Sequence, residues 1–268
     1  MPRTPVAEPG VRPPVVAGSF YPADAARLAA TVDRLLAGAA PVRLAGRPRA
    51  LVVPHAGYVY SGAVAASAWA ALRGTSPVAR VVLAGPAHFV PLRGACVPAA
   101  SRWRTPIGDV EIDADLRSLA EAAGARIDDR PHEPEHSLEV QLPFLVRVAP
   151  AGVRVLPVAV GDTSPGAAAD LLGGLAEDAD LVVVSTDLSH YHDDATARRL
   201  DSRTLDAIVD RDAAAIGDLA ACGVFALRGL VELARRRRWP VKVLDQRTSA
   251  DAGGDVDRVV GYAAVAIG

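Results

Sequence analysis

The sequence predicts a three-layer α/β fold, with a central, largely parallel or mixed sheet and helices on both faces. Short β-branched runs bounded by Gly, Pro and Ser, such as Ala50-Leu51-Val52-Val53 and Leu181-Val182-Val183-Val184-Ser185, read as strands buried on both faces. Helical stretches alternate with these runs along most of the chain, which is the order of a layered α/β domain. Three of the runs lead directly to a histidine: His55, His88 and His190. Ligands of open α/β sheets bind outside the carboxyl ends of the strands. A sheet that brings these three ends to one edge converges three imidazoles there.

The elements follow in order. Residues 1–11 are Pro-rich and are expected to form a disordered lead. Residues 12–268 are expected to be a single domain, because no linker, repeat or low-complexity spacer interrupts them. Asp24 is placed to N-cap a helix running to about Gly38, with Leu28, Val32, Leu35 and Leu36 on one face. A strand at 49–53 leads to the His55 loop and a helix near 62–73. A strand at 80–84 leads to the His88 loop. Residues 95–113 suggest two short strands around Thr105-Pro106-Ile107-Gly108, then a helix over 114–123 closed by Gly124. A loop holding His132, Glu133, Pro134 and Glu135 enters a helix near 136–148, which Pro143 should kink. A strand at 153–160, a helix near 165–176 and a strand at 180–185 follow, then the His190 loop. Helices over 194–210 and 223–236 precede final strands near 240–246 and 258–267.

Composition narrows the function classes. Of 268 residues, half are hydrophobic and 22% are charged, as in ordinary soluble globules. A net charge of −2 gives no electrostatic case for nucleic acid. The basic run Arg235-Arg236-Arg237-Arg238 fits a solvated helix C-terminus, where cations suit the dipole. Two cysteines without a Cys-x-x-Cys pair imply a reducing, cytoplasmic setting, and each reads as a small buried apolar residue. No apolar stretch is long enough to span a membrane, and no targeting signal is evident.

Five segments could carry chemistry. Pro54-His55-Ala56-Gly57-Tyr58 combines a strand-end imidazole with a tight loop, and Tyr58 adds a donor and an aromatic wall. Gly85-Pro86-Ala87-His88 repeats that logic one unit later. In Asp187-Leu188-Ser189-His190-Tyr191 the carboxylate of Asp187 is spaced to fix the His190 tautomer, making His190 a metal ligand or an acid/base. His136 and Glu139 would share a helix face, with substrate binding and plain helix capping equally open. The loop from Gln246 to Asp255 offers Asp251 or Asp255 to complete a two-His, one-carboxylate set of the kind that holds non-haem Fe(II).

Taken in order, these motifs resemble the Memo-like family, called AmmeMemoRadiSam system protein B in microbial genomes. The matching pieces are Ala17-Gly18-Ser19-Phe20-Tyr21-Pro22, Pro54-His55-Ala56-Gly57-Tyr58, Gly85-Pro86-Ala87-His88, the segment from His136 to Phe144, Asp187-Leu188-Ser189-His190-Tyr191 and Val260-Gly261-Tyr262-Ala263-Ala264. The resemblance implies a fold like that of class III extradiol dioxygenases. It puts His55 and His88 at the two metal-histidine positions and His190 at the catalytic acid/base position. The family's animal member has a cysteine in the C-terminal region of the site. This chain has none after Cys222, and its C-terminal loop offers Ser249, Asp251 and Asp255 instead.

The expected function is therefore a metal-dependent, dioxygenase-like redox enzyme. His55, His88 and Asp251 would hold Fe(II), or else copper, and no nucleotide cofactor is expected. His190, oriented by Asp187, would move protons; Tyr58, Tyr191, Glu139 and His136 would contact substrate. The alternative is a non-catalytic module that binds a peptide or an anion at the same pocket. A metal hydrolase ranks third, for want of a carboxylate-rich two-metal pattern. The family name implies a radical SAM protein and a small protein of the same system as partners, beside an unknown small molecule or peptide.

Overall fold

The computed structural model describes residues 10–268. The disordered lead expected over 1–11 lies mostly outside the described residues. Its last residue does not: Val11 opens a two-residue strand, β1 (Val11–Arg12), that pairs with residues 102–103.

The remaining strands are β2 (Ala50–Val53), β3 (Arg80–Gly85), β4 (Ala95–Val97), β5 (Arg102–Thr105), β6 (Gly108–Ile112), β7 (Arg126–Ile127), β8 (Arg154–Val160), β9 (Leu181–Ser185), β10 (His190–His192), β11 (Val241–Thr248) and β12 (Val259–Ile267). The helices are α1 (Ala25–Gly38), α2 (Tyr58–Trp69), α3 (Ala114–Ala122), α4 (Leu142–Val148), α5 (Pro165–Ala176), α6 (Asp194–Asp210) and α7 (Val224–Arg237). The sheet runs β1-β5-β6-β8-β3-β9-β2-β12-β10, with β11 on β12, and with β4 joining β7 and β8. Its heart, β8-β3-β9-β2, is parallel; β12 closes it antiparallel to β2. The fold class is thus a three-layer α/β with a mixed sheet. Helices α1, α2 and α4 pack together, and α3 and α7 both pack on α5.

Val, Leu and Ile fill the central strands because both sheet faces are covered, and β2, β9 and most of β3 are buried throughout. Asp24 caps α1 as expected, accepting from the Arg27 amide. Arg235, Arg236 and Arg237 end α7 and pair with Glu232, Asp170 and Glu177. Among the described residues no helix is long and apolar enough to cross a membrane.

Two local expectations need correction. Helix α2 starts at Tyr58, four residues early, directly out of the His55 loop with Gly57 as its N-cap. The helix expected over 136–148 is instead a short 3-10 turn, Glu139–Gln141, followed by α4. Pro143 does not kink it: near the N-terminus of α4 its missing N–H costs no helical bond. His136 therefore lies in a loop ahead of the helix, free to turn toward the strand ends.

Candidate metal centre

The strand order puts β9 between β3 and β2, so the segments bearing His88, His190 and His55 leave the same edge of the sheet. His55, His88 and His136 form one group, with a ligand atom from each within 4.8 Å of the others. The ring centroids of His55 lie 5.3 Å from those of His88 and 5.4 Å from those of His136. His88 and His136 stack at 4.9 Å.

Two of the rings have a nitrogen hydrogen-bonded to the protein, and the third stands near a carboxylate. His55 Nδ1 is 3.1 Å from Ser185 Oγ. His88 Nδ1 is 2.9 Å from Glu135 Oε1. His136 Nδ1 is 3.4 Å from the same oxygen. Protein partners of this kind are how metal-binding imidazoles are commonly oriented; the Nε2 of His55 faces Cys222 Sγ at 3.2 Å. Burial, helped by the neighbouring imidazoles, depresses the pKa of His55 strongly; burial also lowers that of His136. Both rings are therefore neutral and carry lone pairs, as ligation needs. Three imidazoles gathered this closely fit a transition metal such as iron, copper or zinc.

Glu135 was not singled out as a site residue, yet it organises the group. Its carboxylate accepts from the His88 ring, from the His88 amide at 2.6 Å and from the Ser137 amide at 2.8 Å. Burial alone would raise its pKa, but these donors hold it down at about 2. A carboxylate next to His136 in sequence was the available signal.

Cys222 was also missed. Its Sγ stands 3.2 Å from His55 Nε2, and the Asp187 amide donates to that sulfur at 3.3 Å. Burial, with Asp187 nearby, raises the thiol to about 12. The reading of Cys222 as an inert apolar residue does not describe this position.

The structure places the other expected residues as follows. Asp251 is not with the histidines: its carboxylate binds Arg198 at 2.8 Å and the Thr248 amide at 2.8 Å, capping a 3-10 turn. The third member of the group is His136 instead. Asp187 does not touch the His190 ring; it accepts from the His55 amide at 2.7 Å, and burial lifts its pKa to about 7. His190 Nδ1 donates to the Leu188 carbonyl at 2.7 Å, which leaves Nε2 as its basic nitrogen. Burial lowers the His190 pKa. With Cys222, Phe225 and Arg228, His190 lines a cavity of about 860 Å³.

Glu139 is spent on structure. It accepts from Arg12 at 2.7 Å, from the Tyr21 hydroxyl at 2.6 Å and from the amides of Val15 and Val16. This hub clasps the N-terminal segment, whose Phe20 ring packs 4.7 Å from His136. Tyr58 is buried and donates to the Val140 carbonyl at 2.6 Å. Tyr191 is exposed, with φ 65°, and Arg258 lies over its ring. Neither tyrosine stands in the imidazole group. Beneath the His190 loop, the buried Asp201 accepts from the Ser189 amide, and its other oxygen presses on Gly261 where a Cβ would be.

The model of the Memo-like protein family matches residues 12–266. A MEMO1 family protein of Aquifex aeolicus is 36% identical over 264 residues, covering 94% of this chain and 97% of its own. Another, from Methanococcoides burtonii, is 34% identical over 273 residues, covering 96% and 100%. One from Desulfurococcus amylolyticus is 31% identical over 280 residues, covering 95% and 98%. Among solved structures, the uncharacterized protein JW3007 from Escherichia coli K12 superposes with a TM-score of 0.51 at 14% identity, over 83% of this chain and 100% of its own, which supports the fold alone.

Proposed function

The chain belongs to the Memo-like protein family, and from that premise we propose that it is a non-haem metal-dependent redox protein of dioxygenase-like type. One observation carries the reading: three imidazoles converge at the sheet edge, with a ligand atom of each within 4.8 Å of the others and with His55 and His88 held by hydrogen bonds to Ser185 and Glu135. His55, His88 and His136 hold the ion, with Fe(II) the first choice. Copper is the second, since a sulfur beside imidazoles suits it. When bound, such an ion supplies O₂ activation and an open position for substrate.

The chain's own residues do the rest. Glu135 keeps His88 in one orientation. His190, neutral because it is largely buried, offers Nε2 as a proton acceptor at the wall of the adjoining cavity. Phe225 gives that cavity an apolar wall for a small organic substrate, while Arg228 at its edge is already paired with Asp218. A reducing, cytoplasmic setting accords with two free thiols, Cys96 and Cys222. The family resemblance adds a radical SAM protein and a small protein of the same system as partners.

Elemental analysis of protein purified anaerobically, beside a His55→Ala/His88→Ala double variant, tests the proposal. Near-stoichiometric iron or copper in the parent and its loss in the variant are expected, followed by O₂ uptake with a substrate found by screening. Absence of metal from the parent after reconstitution overturns the redox reading in favour of a binding module.

A further inference from the structure

We infer that Trp69, Gln141 and Ser185 form a hydrogen-bond relay that fixes the tautomer of His55, so that its Nε2, which faces Cys222 Sγ, is always the unprotonated nitrogen. The inference rests on the metal reading for its purpose but not for its geometry.

The direction of every bond is forced by what each atom can do. Indole Nε1–H can only donate. At 3.0 Å from Gln141 Oε1 it therefore sets which end of that amide is oxygen. The Gln141 NH₂ then donates twice, to the Pro54 carbonyl at 2.9 Å and to Ser185 Oγ at 2.9 Å. Ser185 has one proton, and it lies 2.7 Å from the Ser137 carbonyl, which can only accept. With its proton committed there, the hydroxyl meets His55 Nδ1 at 3.1 Å as an acceptor. Nδ1 must carry the hydrogen, and a neutral imidazole then has a bare Nε2.

All four groups are buried: Trp69, Gln141, Ser185 and His55 are at most 2% exposed. Water cannot substitute at any link without leaving a buried group unpaired. The relay also acts on position. Gln141 holds the carbonyl just before His55, while Ser185 holds the carbonyl just after His136. Two of the three imidazoles are thus set by one chain that begins at a tryptophan on α2, outside the group. These are positioning residues; none touches the ion site.

The test uses metal-free protein first. ¹⁵N and ¹³C NMR of the His55 ring in the parent should show the Nδ1–H form alone. In Gln141→Leu, and in the milder Trp69→Phe, a mixture of tautomers is expected. Cobalt(II) titration, followed by visible absorption, should then show affinity reduced by about 10–100-fold in Gln141→Leu, the usual effect of removing an outer partner of a ligand. An Nε2–H form in the parent overturns the relay whatever the variants do. Unchanged His55 resonances and cobalt affinity in both variants overturn it as well. Failure of the parent to bind cobalt counts against the metal reading, while the tautomer measurement still decides the relay.

Discussion

Cys222 Sγ and His55 Nε2 face each other at 3.2 Å, which makes the thiol the natural hydrogen-bond donor to the bare imidazole nitrogen in metal-free protein. A thiol held at about 12 by burial contains almost no thiolate at neutral pH. Iodoacetamide should therefore modify Cys222 in the folded, metal-free protein at least about 100-fold more slowly than in urea. Mass spectrometry of the labelled peptides checks this. Fast labelling in the native state would show an open and ionised sulfur.

The third donor is decided by comparing two variants. His136→Ala should lower bound metal from near one per chain to near zero, as His55→Ala and His88→Ala should. Asp251→Ala should leave metal content unchanged, because its carboxylate is committed to Arg198 and Thr248. Elemental analysis of the four proteins reads the outcome.

Glu139→Ala should cost about 3–5 kcal/mol of stability, since it strands the buried Arg12 guanidinium without its carboxylate. Urea denaturation measures it. A variant of normal stability that had lost substrate affinity would restore the substrate-binding role.

His132 gives a pH dependence. Its ring is fully buried, and its pKa falls from the usual 6.5 to about 4, chiefly through burial and then through Arg12. The unfolded chain takes up this proton before the folded one does. Stability is therefore full above about pH 6.5 and is lost as pH drops toward 4, by roughly 2–3 kcal/mol at pH 4.5. Urea midpoints at pH 7.5 and 4.5, compared with those of His132→Gln, isolate the effect. The variant should lose less stability than the parent over that interval.

Gly261→Ala should destabilise by about 3 kcal/mol or more, because the new methyl would sit 1.7 Å from the Asp201 carboxylate. Adding Asp201→Ala should recover part of that loss. A double-mutant cycle by thermal or urea unfolding gives the coupling.

Much of this was legible in sequence. Val-rich runs ending at His55, His88 and His190 implied parallel strands and a shared edge, because burial on both faces demands continuous apolar runs. The third ligand was not legible. His136 was assigned to a helix by its spacing from Glu139, whereas the helix starts later, and tertiary contacts with Phe20 and Glu135 decide where the ring points. Asp187 looked like a partner for His190 because three residues separate them. The chain turns between the two, and the carboxylate reaches the His55 amide from the neighbouring strand instead. Cys222 escaped notice because thiols are usually plain core residues, and nothing local marks one that lies opposite a histidine 167 positions away.

The strand order also sets a timetable for the growing polypeptide. β2 and β3 are not neighbours; β9 lies between them and is made about a hundred residues after β3. At ribosomal speeds of about 5–20 residues per second, that gap lasts roughly 5–20 s. Until Leu181–Ser185 has left the ribosome and slotted in, the loops bearing His55 and His88 have no common edge, and His55 has no Ser185 beneath it. Any ion these histidines hold would therefore be loaded only after synthesis has passed the middle of the chain, and a nascent protein halted earlier would carry its histidines apart.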